Sequence, residues 1–452
     1  MISRPIFFII GWIAYFFCQG FVWTGIIHAD GAAWEARSGD EALSGHVRFR
    51  YQAKHAPDES NTSHYLFQSL DASYLPLTND SGLVVSGDLY ENVGGQDQRP
   101  ESVWTTYGDV HGFIHESYVQ LNDIISTLDA KAGRQYVSHE LPVHLDGVHT
   151  QYRFPGGRGA AYLFGGYAAD PYGDTPWDSS RQVGIGAHYR IADRTRTGIE
   201  YLGTREEAPD TADETFHQAA LSLAHHFDKS RAGLSLTSFD SDVASFKLSA
   251  SFLESMGIDS EISLSYFHQL TEIQRMPTSQ SPFISLLGPV KPYQQISIYA
   301  DKGFSEHSFH VSTGLDVRNL LKNENESEYN HSYMHAYIAF DRTDLWSQNL
   351  RLTVQADYWR NMDAGTDGKN LWTGGGEMEY GFTPKTAFAL GSYYSLFTYD
   401  YYTDLDEKTD VYSIFSRIRH RIGKSLQIKG EYELDLYDQQ EHRLNLTADV
   451  PF

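Results

Sequence analysis

Strict alternation of apolar and polar residues over long segments is the feature that most constrains this chain. At the C-terminus Leu444, Leu446, Ala448, Val450 and Phe452 alternate with Arg443, Asn445, Thr447 and Asp449. Just before it, Leu426, Ile428, Gly430, Tyr432, Leu434 and Leu436 alternate with Gln427, Lys429, Glu431, Glu433 and Asp435. Leu350, Leu352, Val354, Ala356 and Tyr358, and again Ala244, Phe246, Leu248, Ala250 and Phe252, repeat the pattern. A period of two places one set on each face of a β-ladder. Such strands run longer than the globular mode of about five or six residues and are long enough to cross a bilayer at a tilt.

The pattern yields 22 candidate strands. They start near Ser44, Ser63, Leu83, Phe113, Ser126, Gly147, Gly159, Gln182, Arg194, Thr215 and Arg231 in the first half. In the second half they start near Val243, Ser260, Tyr293, His307, Tyr329, Asn349, Asn370, Thr386, Asp410, Ser425 and Glu441. Tight connections at Ala192-Asp193, Asp228-Lys229, Ser305-Glu306, Pro384-Lys385 and Gly423-Lys424 are interleaved with long polar ones. The long ones are Asn92–Gly112, Asp170–Arg181, Arg275–Pro292, Asn319–Glu328, Asn361–Lys369 and Asp400–Thr409. A soluble sandwich or β-helix has no reason to sort its loops in this way, whereas a transmembrane barrel has short turns at one end and long loops at the other. The expected fold is therefore all-β, a closed antiparallel transmembrane barrel of about 22 strands (range 18–22), with both termini at one end.

The single long apolar run, Ile6 to Ile27, follows Arg4 and leads through His28-Ala29 into Asp30-Gly31, the layout of a secretory signal peptide. The expected organisation is a signal peptide at 1–29, a short periplasmic segment at 30–43 and the barrel from 44 to 452. So little chain ahead of the first strand leaves no room for a plug domain. The only cysteine, Cys18, falls within the signal, so disulfides, thiolate catalysis and Cys-x-x-Cys-His haem attachment are excluded from the mature chain. With 35 Lys+Arg against 59 Asp+Glu the net charge is −24, which excludes nucleic acid as a principal partner. These features point to export to the bacterial outer membrane.

Phe452, with apolar residues at alternate positions behind it and Tyr432 and Tyr437 on the preceding strand, resembles the C-terminal signature of bacterial outer-membrane barrels. That resemblance implies recognition of the last strand by the barrel-assembly machinery. Gly133-Arg134-Gln135 followed by His144-Leu145-Asp146-Gly147-Val148 is similar to the Gly-Arg-Gln … Phe-Asp-Gly-Val pattern of the alginate-export family, with Leu145 where an aromatic is expected. This second resemblance covers a short stretch and implies passage of an anionic sugar polymer or similar solute.

In a barrel the functional residues are those that line the lumen. Strand phase turns Arg48, Arg50, Arg153, Arg190, Arg351, Arg417 and Arg419 inward, with Glu377, Glu379, Glu431 and Glu433 among the carboxylates. They either pair across neighbouring strands, as Arg417 and Arg419 could with Glu431 and Glu433, or form opposed arcs that sieve ionic solutes. Within loop Arg275–Pro292 the apolar residues Phe283, Leu286 and Leu287 suggest a constriction folded inward, a partner contact or a stiff cap.

No catalytic, metal or cofactor site is expected. Loop Asp363–Asn370 lacks the spacing of a calcium-binding hand, the 20 histidines are scattered, and no Ser/His pair has a fixed third partner. Two functions fit: an outer-membrane channel for a hydrophilic solute, small and ionic or a polysaccharide, and a structural sheath around a multihaem cytochrome in an electron conduit. Outer-membrane lipid is a partner in either case.

Overall fold

The computed structural model describes residues 43–55, 62–75, 80–94, 110–169, 180–206, 214–255, 257, 259–273, 291–305, 308–321, 332–347, 349–362, 370–399, 407–423, 426–436 and 440–452. The strands are β1 Leu43–His55, β2 Ser63–Tyr74, β3 Gly82–Gly94, β4 Val110–Leu121, β5 Leu128–Val137, β6 Val143–Arg153, β7 Gly159–Ala168 and β8 Ser180–Ala192. Next come β9 Thr195–Glu206, β10 Glu214–His226, β11 Ser230–Phe239, β12 Asp242–Leu253, β13 Ser260–Gln269, β14 Tyr293–Phe304 and β15 Phe309–Leu320. The last are β16 Tyr333–Arg342, β17 Leu350–Asn361, β18 Asn370–Thr383, β19 Thr386–Tyr399, β20 Glu407–Ile422, β21 Leu426–Leu436 and β22 Gln440–Pro451. All 22 expected strands are present, and each pairs antiparallel with its successor. β1 also pairs with β22, from His46↔Pro451 to His55↔His442, so the sheet closes. Closure satisfies every edge, the condition for crossing a bilayer with strands.

Phe452 extends the closing ladder. Its N–H donates to the Gly45 carbonyl and its carbonyl accepts from the Gly45 N–H, each at 2.9 Å. A side chain at position 45 would meet the Phe452 ring and the Asp71 carbonyl, which explains the glycine opposite.

Period-two alternation sorts the two faces. Outward residues Val183, Ile185 and Ile199 are 58%, 58% and 60% exposed, and Leu163, Leu221, Ile338, Leu390 and Leu446 continue the band. Water would not tolerate a band of this extent, but hydrocarbon would, so this is the architecture of an outer-membrane-type barrel. Connections at the end holding Leu43 and Phe452 include the two-residue turns 193–194 and 384–385. At the opposite end lie the intervals 95–109, 270–292 and 321–332. The expected sorting of loops is present. Residues 1–42, which hold the expected signal peptide and all of the expected periplasmic segment 30–43 but Leu43, lie outside the described residues, as do Phe283, Leu286, Leu287, Tyr437 and loop 363–369; Leu43 itself opens β1.

Candidate functional site

The inner wall carries a compact apolar cluster that the alternation did not reveal. Val137, Leu141, Val143, Leu145, Tyr162, Phe164, Leu202 and Ala220 are buried against one another inside the barrel. Its cause is the β5–β6 connection, residues 138–142, which folds into the lumen instead of standing above the wall. The backbone N–H groups of Glu140 and Leu141 donate to Oε2 of Glu200 on β9, at 2.7 and 3.0 Å. The Tyr162 hydroxyl donates to the same oxygen at 3.0 Å. Glu200 is 1% exposed, and its Oε1 has no hydrogen-bond partner among the described residues. One buried carboxylate thus tethers the hairpin tip by two charge-assisted bonds and the β7 tyrosine by a third.

His139, at the tip, stacks on Tyr162 with ring centroids 3.6 Å apart, and its Nε2 lies 3.0 Å from Nε2 of His149, so one proton serves both rings. Burial, reinforced by the nearby charges of His149, His188, Arg196 and Lys131, pushes the His139 imidazole down to about 4. It is neutral at physiological pH.

Glycines on the facing strands form the sockets. A Cβ at Gly184 would meet the Phe164 ring at 2.0 Å, at Gly186 the Tyr162 hydroxyl at 2.4 Å, and at Gly198 the Glu140 Oε1 at 1.9 Å. These inward glycines, set between outward Val183, Ile185 and Ile199, were the available signal that something crowds the wall there.

The stretch with the alginate-export resemblance anchors the hairpin. Main-chain pairing of β4 with β5 spans only Ser117↔Arg134 to Leu121↔Ala130. Beyond it, side chains take over. Arg134 clamps Asp146 with Nε and Nη2 at 2.8 and 2.6 Å, and its Nη1 donates to the Ile114 carbonyl at 3.2 Å. His144 Nε2 meets the His115 carbonyl at 2.7 Å, and fully buried Gln135 donates to the Gly147 carbonyl at 3.2 Å. Gly133, at φ +128°, adopts a backbone that other residues rarely reach, and a Cβ there would strike the Ser117 carbonyl. The motif thus ends one ladder and turns its hairpin inward.

Most of the expected lumen residues are ion-paired, Arg417, Arg419, Glu377, Glu379 and Glu431 among themselves. Arg417 reaches Glu431 at 2.7 Å and Glu377 at 3.1 Å, and Arg419 reaches Glu379 at 2.9 Å. The second pairing differs from the expected Arg419–Glu433 contact. In the β20–β21 register Arg419 stands opposite Lys429, so it turns the other way, across the small Ala387 and Ala389 of β19. Glu433 instead faces Arg443 at 3.5 Å, and Arg443 also contacts Asp435 and Glu441. Arg48 pairs with Asp449 at 2.9 Å, Arg351 with Asp341 at 2.7 Å, and Arg153 with Asp129 at 3.0 Å and with Asp123. Arg50 lies over the Phe67 ring, 4.0 Å from its centroid, and Arg190 is exposed at the end of β8. Neither makes an ion pair among the described residues. His335 is inward, stacked on Trp359 at 3.9 Å and 3.0 Å from Asp357. No group of three or more metal-ligating side chains occurs among the described residues.

No family model matches the chain, so the likeness of residues 133–148 to alginate-export proteins remains a resemblance. No curated protein matches it either. Among solved structures it is similar to the P pilus usher (PapC) translocation pore, at 7% identity and TM-score 0.48, over 90% of this chain and 99% of that one. It is similar to Acinetobacter baumannii OccAB3 at 11% identity and TM-score 0.42, over 91% and 100% of the two chains. Pseudomonas aeruginosa OccK2 (OpdF) in complex with glucuronate is similar at 13% identity and TM-score 0.41, over 91% and 98%.

Proposed function

We propose that this protein is a bacterial outer-membrane channel whose lumen passes a hydrophilic solute and is narrowed by its own β5–β6 hairpin tip. The observation that carries the reading is that tip, tethered to Glu200 inside a barrel with an apolar exterior and a wall of paired charges. A lumen with a built-in constriction and hydrophilic lining selects by size and charge, as channels do. Most of the expected inward arginines are matched by carboxylates. Of the arginines expected to face the lumen, Arg50 and Arg190 are the two without a carboxylate partner among the described residues, and small carboxylated sugars are the first class to try. Arg48, Arg153, Arg351, Arg417 and Arg419, with their carboxylate partners, would hold the shape and field of the path.

The electron-conduit reading is the weaker of the two. A cytochrome seated in the lumen would have to share it with residues 138–142 and displace a packed cluster. Purified protein in planar bilayers tests the choice. Discrete ion-conducting steps, blocked or slowed by millimolar glucuronate in wild type and less so in R50Q/R190Q, are expected. A correctly folded barrel that conducts nothing would overturn the reading.

A further inference from the structure

Three histidines sit together on the lipid-facing side of the closure seam, at the long-loop end. His55 of β1 and His442 of β22 are register partners, with ring centroids 6.3 Å apart. His64 of β2 stands one step below, opposite Ala53. Parity places all three in line with Val47, Phe49, Leu444 and Leu446 of the apolar band. They occupy its rim.

Each ring is oriented by a hydroxyl at Nδ1. The Tyr51 hydroxyl is 2.6 Å from His64 Nδ1, the Tyr432 hydroxyl 2.6 Å from His442 Nδ1, and Thr62 Oγ1 3.3 Å from His55 Nδ1. With the hydroxyl donating, the ring proton resides on Nε2. None of these three Nε2 atoms has a hydrogen-bond partner among the described residues. Parity also gives the outward sets of β21, β22, β1 and β2 no acidic residue and no lysine or arginine. Among the described residues the nearest outward carboxylate is Glu91 on β3, opposite Leu66. Tyrosines at such a rim lie where headgroups begin.

We propose that His55, His64 and His442 form a docking site for the phosphate-bearing headgroup of an outer-leaflet lipid. Three neighbouring N–H donors at headgroup depth, free of competing carboxylates on their own strands, suit an anion with several acceptor oxygens. The hydroxyls hold Nδ1 of each ring, so Nε2 is the nitrogen presented outward. Tyr201 and His217 repeat the couple at 2.6 Å near the same rim, on β9 and β10. It stands there without a second imidazole beside it, and provides an internal control.

The inference rests on the membrane reading of the apolar band and not on what passes through the lumen. Purified full-length protein in dodecyl maltoside micelles is titrated with bis-phosphorylated lipid A and with its dephosphorylated form, with binding read by native mass spectrometry. Wild type is expected to favour the phosphorylated lipid by about tenfold or more. The H55F/H64F/H442F variant is expected to lose that preference while H217F keeps it. Should the triple variant fail to fold, the single variants H55F and H442F are expected to show the same loss in part. Equal affinity of wild type for the two lipids, or a preference surviving in the folded variants, overturns the proposal. A chain that does not enter micelles at all overturns the membrane reading itself, a separate and visible result.

Discussion

Removing the Glu200 carboxylate is expected to release the hairpin tip and widen the lumen. In E200A the N–H groups of Glu140 and Leu141 and the Tyr162 hydroxyl lose their common acceptor. Two stripped backbone donors cost roughly 2–6 kcal/mol if the tip stays docked. Part of this is offset, because the wild-type carboxylate is itself buried with Oε1 unpartnered, so the lower end of the range applies. Even about 2 kcal/mol shifts the docked-to-released ratio by more than tenfold. The barrel survives, since the ladders of all 22 strands are untouched. Single-channel recording is expected to show a higher mean conductance, with flicker between docked and released levels. E200Q keeps an acceptor oxygen without charge and should lie between wild type and E200A. G198V reaches the same end by another route, because its Cβ collides with Glu140. Folded E200A and G198V with conductance and noise like wild type would refute the tether.

Acid is expected to act on the same tip through His139. Its value is held near 4 in the docked tip against an ordinary 6.5, so the released tip takes up the proton more readily, and docking weakens as pH falls from about 6.5 towards 4. Conductance at pH 4.5 should exceed that at pH 7.5 in wild type, and H139F, which keeps the stacking, should flatten the dependence. R417Q leaves Glu377 and Glu431 without their shared cation. The reversal potential in a salt gradient should then move towards cation preference, and an unchanged potential would remove this pair from the permeation path. Deleting Phe452 forfeits one aromatic contact, about 1.5–3 kcal/mol at most, and two hydrogen bonds of a long ladder. Membrane assembly, measured as heat-modifiable barrel per cell, should fall far more than the unfolding temperature of the barrel that does form.

The part of this structure written in the sequence is the part set by local periodicity. Leu444, Leu446 and Ala448 must share a face whatever else the chain does, because successive side chains of a strand point to opposite sides. Strand number, the lipid-facing band, the sorting of long and short connections and the inward direction of Arg417 or Glu377 all follow from that rule. Tertiary structure alone decided what the inward groups meet. Arg419 turns to Glu379 because register places Lys429 opposite it and β19 offers alanines to reach across. Residues 138–142 dip into the lumen because Glu200 on β9, Tyr162 on β7 and glycines on β8 and β9 together form a socket. The apolar stretch around Phe283, which composition offers as a constriction, a partner contact or a stiff cap, lies outside the described residues. No single segment encodes the socket: its members are spread over three strands, and they converge only once closure of the barrel fixes the register of each strand against the next.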